Sequence, residues 1–262
     1  MPIVLPLDPG RPIDWSKTSD DYAEFRPGPP HSFYTRLAAL GVGLEGQRIL
    51  DLGTGTGVLA REFAKQGAQV SGIDIAHGQI EAAQRLAVES KLSVDFRVSA
   101  AENAPYPDAE FDAVTANQCW LYFDYERMIP ELQRILKSDG VLVTSHFSWL
   151  PRLDKVARAS EELILKHNPQ WTAADWYGNV APVQPSLEGR ARLVGFFVYD
   201  EPVMFTRESW RGRMRACRGV GAALSPAEVA AFDREHAELL AKIAGPEFAI
   251  LHRIDARIYR FA

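Results

Sequence analysis

Residues 47–65 read Gln47-Arg48-Ile49-Leu50-Asp51-Leu52-Gly53-Thr54-Gly55-Thr56-Gly57-Val58-Leu59-Ala60-Arg61-Glu62-Phe63-Ala64-Lys65. A short apolar run ends in an acidic residue, opens into a glycine loop and continues with helical spacing. That order predicts strand, loop and helix. Three glycines spaced two apart let the backbone take conformations that a Cβ forbids. They also let a flat or charged ligand lie against the chain itself. A dinucleotide fingerprint would place its third glycine three residues after the second, and that position is Val58. What stands instead is acidic-x-Gly-x-Gly-x-Gly.

Outward from the loop, short apolar runs alternate with helical patterns. Strands are expected at 47–52, 69–74, 93–98, 111–117 and 140–147, with helices at 58–66, 77–90 and 125–137 between them. Such alternation predicts an α/β chain with a mainly parallel sheet covered on both faces. Val141-Leu142-Val143-Thr144-Ser145 is a β-branched run of the kind buried in such sheets. Ligands of open sheets gather outside the carboxyl ends of the strands. The expected site is therefore at 51–57, 74–79, 99–102, 117–122 and 146–149. Asp74, 19 residues after Gly55, ends the second strand. Its carboxylate can accept both hydroxyls of a ribose lying along the strand ends, or serve as an acidic helix-start residue favoured by the helix dipole.

The third strand is followed by Ser99-Ala100-Ala101-Glu102-Asn103-Ala104-Pro105-Tyr106-Pro107-Asp108-Ala109-Glu110-Phe111-Asp112. Glu131-Leu132-Gln133-Arg134-Ile135-Leu136-Lys137-Ser138-Asp139-Gly140 precedes the fifth. With the glycine loop and Asp74, these segments make residues 20–147 resemble a class I S-adenosylmethionine (SAM)-dependent methyltransferase of the type 11 group, similar to the trans-aconitate methyltransferase-like enzymes. The resemblance implies a Rossmann-like, mostly parallel seven-stranded sheet, SAM as cofactor and S-adenosylhomocysteine as product. It also implies roles. The backbone of Gly53 and Gly55 would approach the methionine moiety, with Asp51 and Thr54 also in the cofactor site. Asp74 would hold the ribose, and Ile75 and Gln79 would flank the adenine. The Ala101 N–H and Glu102 would read the adenine edge, and Asn117 and Gln118 would line the sulfonium side. Many relatives carry Asp where this chain has Ala100, so the adenine amine would depend on Glu102 or water. Tyr22-Ala23-Glu24-Phe25-Arg26-Pro27 resembles the group's cofactor-covering N-terminal helix. Arg26 would either pair with the cofactor carboxylate or end the helix at the surface.

Methyl transfer from a sulfonium needs alignment and water exclusion more than a fixed catalytic group. Acceptor contacts are expected from Trp120 and Tyr122 after the fourth strand, where Leu121 replaces a His common in relatives. The segment also lacks the Asn-Pro-Pro-aromatic motif of enzymes that methylate exocyclic or amide nitrogen. His146 follows the fifth strand, as a general base or as a structural histidine. Trp149, Trp176 and Tyr177 are expected in a lid, where an aromatic wall could attract a methylsulfonium, or in ordinary core. In Arg207–Gly219, Arg211 and Arg215 share a helix face with Arg218 nearby. Either arginine binds an acceptor anion or the face is simply solvated.

The resulting division is an N-terminal arm and covering helix at 1–44, a SAM-binding core at 45–147, an inserted aromatic lid at 148–206, and C-terminal helices with closing strands at 207–262. The first dozen residues hold prolines 2, 6, 9 and 12 and read as an extended arm. The 262 residues suffice for a full core, and the net charge of -5 disfavours nucleic acid as a partner. Two unpaired cysteines, 119 and 217, and the absence of a signal-peptide pattern or a membrane-length apolar run point to the cytoplasm. The six scattered histidines predict no metal site. The expected partner is a small-molecule acceptor for a monomer or homodimer. The rivals are an RNA or protein methyltransferase and a catalytically silent SAM-fold binding protein.

Overall fold

The computed structural model describes residue 8, residues 13–25 and residues 27–261. The proline-rich arm, apart from Asp8, lies outside the described residues, and so does Arg26. Seven strands form one sheet: β1 (Arg48–Leu52), β2 (Gln69–Asp74), β3 (Val94–Val98), β4 (Phe111–Asn117), β5 (Leu136–Trp149), β6 (Arg192–Thr206) and β7 (Glu247–Arg260). Their order is β3-β2-β1-β4-β5-β7-β6. Only β7 runs against its neighbours β5 and β6. β1 pairs with β2 on one side and β4 on the other, both in parallel. The chain therefore reverses its direction of travel across the sheet between β1 and β4, and the crevice outside their carboxyl ends is the natural ligand position.

The helices are α1 (Ser19–Phe25), α2 (His31–Ala39), α3 (Val58–Lys65), α4 (His77–Glu89), α5 (Tyr125–Ile135), α6 (Lys155–His167), α7 (Arg207–Arg215) and α8 (Pro226–Ile243). Local chemistry sets their starts. Asp154 accepts from the Val156 and Ala157 N–H groups, and Thr206–Ser209 and Ser225–Glu228 form reciprocal capping boxes. One face of the sheet is covered by apolar residues of α2, α3 and α4, such as Phe33, Leu37, Leu59, Phe63, Ile80 and Ala83. The other is covered by Met128, Ile129, Leu132 and Ile135, a single stripe of α5. A third core gathers Ile164, Trp210, Met214, Phe232 and Leu240 around Trp149, Phe205 and Ile250, where β5, β6 and β7 overhang. Helices α6–α8 thus form a cap at the carboxyl edge of β5, beside the crevice.

Two expectations change. β5 begins at Leu136 rather than 140. Of the range 148–206 expected as a lid, Arg192–Thr206 is instead the edge strand β6, paired along its length with β7.

Candidate functional site

The glycine loop leaves β1 with Gly53, Gly55 and Gly57 at φ of 56°, 55° and 74°. A Cβ on Gly57 would stand 2.5 Å from the Phe96 ring, and one on Gly53 would stand 2.9 Å from the Cys119 Cβ. Both positions need glycine for conformation and for space. The loop is fastened to β2. Thr54 N–H donates to the Ile73 carbonyl at 2.9 Å. Gly55 N–H donates to Asp74 Oδ2 and Ala76 N–H to Asp74 Oδ1, both at 2.9 Å. Each Asp74 oxygen thus takes a backbone proton, and the roughly four acceptor positions of a carboxylate leave room for a further donor. Burial raises the Asp74 pKa, and the Ala76 and Gly55 N–H groups oppose the rise. Ile75, beside it, is 75% exposed, an apolar surface at the strand end suited to a flat ring.

Asp51 is buried under the loop. Its two oxygens accept from Thr54 Oγ1 and Thr115 Oγ1, each at 2.7 Å. Burial pushes its pKa up to about 6 against those two bonds. Its first role is therefore to hold the loop's shape. A narrow cleft brings together Asp51, Gly53, Thr54, Asn117 and Gln118 from the expected set, and adds Pro27–Pro29, Val58, Leu59 and Phe147. Gly28 lies so close to α3 that a Cβ would fall 2.3 Å from Val58 Cγ1. The covering strap thus runs directly over the loop. Ser145 Oγ donates to Asn117 Oδ1 at 3.0 Å. Gln118 sits at φ 60°, a conformation costing roughly 1–2 kcal/mol in a non-glycine residue. Its Nε2 donates to the Phe147 carbonyl at 2.6 Å, satisfying β5 where β4 has ended. A roomier cavity of about 720 Å³ lies on β2 and β3 toward their amino ends, among Arg48, Lys91, Arg97 and Tyr106. It holds none of the expected residues, and Arg48 and Arg97 are paired with Glu110 and Asp95.

On the adenine side, Gln79 is buried and its Nε2 donates to the Trp15 carbonyl at 3.3 Å. It is held to the N-terminal 3-10 turn (Trp15–Thr18). Ala101 is buried. Glu102 accepts from Asp124 N–H at 3.0 Å, which ties the loop after β3 to the start of α5. Trp15 meets Tyr122 edge to face at 6.3 Å between ring centres, so Tyr122, 39% exposed, stands at the rim.

Several expected acceptor contacts are corrected. Trp120 is buried, stacked on Tyr125 and bonded through Nε1 to Ser186 Oγ at 2.9 Å. Trp149 is a core residue against Trp210, with Nε1 bonded to Glu161 at 2.6 Å. Arg211 pairs with Asp233, and Arg215 with Asp233 and Asp21; both guanidinium groups are bolts between helices. The inward arginine is Arg213, buried over the Trp149 ring at 4.7 Å. Its spacing from Trp210 and Met214 is the signal that places it on the apolar face of α7. Trp176 packs edge-on against His146 at 5.1 Å, and Tyr177 is 60% exposed. His146 lies on the opposite side of β5 from cleft-lining Phe147, with Nδ1 4.0 Å from Asp255 Oδ2. Phe147 in turn stacks on buried His252 at 4.6 Å. No local pattern in the sequence marks His252 or Asp255.

Residues 50–144 match the family model for the methyltransferase domain. Over 142 residues the chain is 32% identical to the ubiquinone biosynthesis O-methyltransferase of Alkalilimnicola ehrlichii, covering 53% of this chain and 57% of that protein. Over 109 residues it is 41% identical to the demethylmenaquinone methyltransferase of Thermus thermophilus, covering 40% and 50%. The chain thus spans about half the length of these relatives. The solved structure of YjhP from E. coli superposes with a TM-score of 0.54 at 19% identity, covering 94% of this chain and 99% of that one, and shares the fold.

Proposed function

We propose that this chain, a class I SAM-dependent methyltransferase through its domain at 50–144, methylates a hydroxyl-bearing small molecule held between the cofactor cleft and the α6–α8 cap. The observation that carries the reading is Asp74, clamped by the Gly55 and Ala76 N–H groups beside a loop that only glycines can form. That is a ribose acceptor next to a cradle with no room for a Cβ. When bound, SAM supplies a methyl group on a cationic sulfur. Gly53, Thr54 and Gly55 would hold its methionine part, Asp74 its ribose and Ile75 its base, with Asn117 and Gln118 beside the sulfonium. The strap at Pro27–Pro29 lines the cleft and would shield it from water.

The oxygen-directed part of the proposal draws on the ubiquinone biosynthesis O-methyltransferase relative, and the small-molecule part on both relatives and on the cap, whose aromatic core stands beside the cleft. Trp176 and Tyr177, in the segment between α6 and β6, are the proposed lid contacts. An apolar acceptor fits such a wall better than a nucleic acid does. No helix among the described residues is long and apolar enough to cross a membrane. We place the protein in the cytoplasm as a monomer or homodimer.

Calorimetric titration with S-adenosylhomocysteine tests the reading. Micromolar-range binding by the wild type and at least tenfold weaker binding by Asp74→Ala, about 1.4 kcal/mol, is the expected result. No binding by folded wild type overturns it and favours the silent-protein rival.

A further inference from the structure

Tyr34, on α2, is 2% exposed, and its hydroxyl has no hydrogen-bond partner among the described residues. Its ring packs edge to face with Phe33 at 5.2 Å and with Phe63 of α3 at 5.5 Å between ring centres, so the hydroxyl is held in place. That place is at the edge of the cofactor cleft. A Cβ on Gly28 would overlap Val58 and stand 3.6 Å from the Tyr34 oxygen. Gly28 and Val58 both line the cleft, so the hydroxyl lies where the strap closes on α3. The charges that reach it are those of Glu62, Asp51 and Arg61. Neither carboxylate takes its proton: Asp51 accepts from Thr54 and Thr115, and Glu62 is paired with Lys65. Burial first, and then these two acids, raise the Tyr34 pKa well above its ordinary value. At neutral pH the group is a phenol with one proton to donate. Burying a hydroxyl without a partner is unfavourable, and phenylalanine would fill the same space without that cost. Native proteins leave few such groups, and each calls for a reason.

The cleft itself measures about 30 Å³, no more than one water molecule's share of the liquid. A methionine chain is several times larger, so the strap must lift from the loop to admit it. Lifting Gly28 away from Val58 uncovers the hydroxyl beneath. We propose that the Tyr34 hydroxyl is the donor that positions the cofactor's carboxylate: with the strap lifted, it donates to an oxygen at the methionine end. This rests on the methyl-transfer reading above. A hydrogen bond to an ionised acceptor is stronger than one between neutral groups, and a phenol supplies it without adding a charge beside buried Asp51. Holding the far end of the methionine chain against α2 sets where the sulfur lies relative to Asn117 and Gln118. In-line transfer depends on that alignment. Tyr34 is therefore a positioning residue, fixed by the packing of α2 on α3 and touching the cofactor away from the reacting atoms.

The test is a cycle of two proteins and two ligands. Wild type and Tyr34→Phe are titrated calorimetrically with S-adenosylhomocysteine and with its decarboxylated form, S-adenosyl-3-thiopropylamine. The second ligand keeps the nucleoside, the sulfur and the ammonium and lacks only the carboxylate. The weaker ligand is measured through its competition with the stronger. Tyr34→Phe should weaken S-adenosylhomocysteine at least tenfold, about 1.4 kcal/mol, and change the thiopropylamine by about twofold or less. Its urea midpoint should not fall, because the ligand-free protein loses no hydrogen bond. A similar loss for both ligands, an unchanged S-adenosylhomocysteine affinity, or a destabilised or unfolded Tyr34→Phe protein each overturns the proposal. Failure of wild type to bind S-adenosylhomocysteine removes the methyl-transfer reading and the proposal with it. Binding that is intact and that Tyr34→Phe does not alter removes only the role of Tyr34.

Discussion

His252 gives a prediction whose sign and size both follow from its surroundings. The ring is fully buried, stacked on Phe147 at 4.6 Å and on Phe205 at 5.9 Å, with Trp149 and Trp210 at its edges. Nδ1 lies 2.9 Å from the Ile250 carbonyl. A carbonyl only accepts, so Nδ1 carries the proton and Nε2 holds a buried lone pair without a partner. Burial drives the pKa down to about 3, with the Ile250 carbonyl pulling the other way. The folded protein keeps this histidine neutral, whereas the unfolded chain protonates it below about 6.5. Stability is therefore full above 6.5 and is lost as pH falls from there toward 3. At pH 5 the loss is about 2 kcal/mol, from roughly 1.5 pH units at 1.36 kcal/mol each.

The wild-type curve alone would hide this. His236, lowered to about 4 by burial, loses a similar amount of roughly 2 kcal/mol by pH 5. Asp51 and Asp255, raised to about 6, act in the opposite sense. Their neutral-pH penalty is relieved as pH falls through 6, by roughly 1.4 kcal/mol each at pH 5. His252→Phe isolates one contribution. At pH 8 the variant loses the bond to Ile250 and should be about 1 kcal/mol less stable. At pH 5 it escapes the protonation loss and should be about 1 kcal/mol more stable than wild type. Urea unfolding followed by tryptophan fluorescence at both pH values measures the difference. A stability gap between the two proteins that is the same at pH 8 and pH 5 refutes the reasoning.

Gly57→Ala places a Cβ 2.5 Å from Phe96 at φ 74°. It should cost more than about 2 kcal/mol, the sum of left-handed strain and overpacking, and denaturant midpoints check this. Arg215→Gln removes the bolt between Asp21 of α1 and Asp233 of α8. Limited proteolysis within 19–25 should become faster and S-adenosylhomocysteine affinity should fall several-fold. An unchanged cleavage rate would show that the bridge does not hold α1.

The central strands were legible because burial on both faces leaves continuous apolar runs: β1 through β4 fall within a residue of expectation. β5 starts early because Lys137-Ser138-Asp139 gives no apolar signal and pairing with Phe111 of β4 recruits Leu136. β6 was hidden for a related reason. It is an edge strand of mixed exposure carrying Asp200, Glu201 and Pro202, residues that blunt an edge, and only its ladder with β7 makes it a strand. In α7 the helical period told that Arg211 and Arg215 share a face. It did not tell that Asp21 and Asp233, 194 and 18 residues from Arg215, meet them there. The sequence leaves Trp149 open between lid and core and offers Trp120 as an acceptor contact, because aromatic residues serve cores and pockets alike, and the choice depends on neighbours far away in the chain.

The acidic partners of Arg215 change how the covering segment must work. The strap at Pro27–Pro29 touches the cofactor loop, but the segment before it is anchored elsewhere. Asp21 pairs with Arg215, Phe25 packs on Gly212 so closely that a Cβ there would overlap its ring at 2.1 Å, and Asp14 N–H donates to the Ala222 carbonyl at 2.9 Å. All three anchors lie on α7 or the turn after it, within the cap. The lighter ties to the cofactor core are Gln79 on the Trp15 carbonyl and the edge-to-face contact of Trp15 with Tyr122. An element fixed by a packed ring and an ion-pair network on the cap side, and by a side-chain bond and a ring edge on the core side, moves with the stronger side. Opening the strap to exchange cofactor therefore requires either breaking the Arg215 bridge or moving α7 with it. In the second case Arg213 and Trp149 shift together, because the guanidinium lies on the indole ring. The covering segment and the α7 face that carries Arg213 are in this way one mechanical unit.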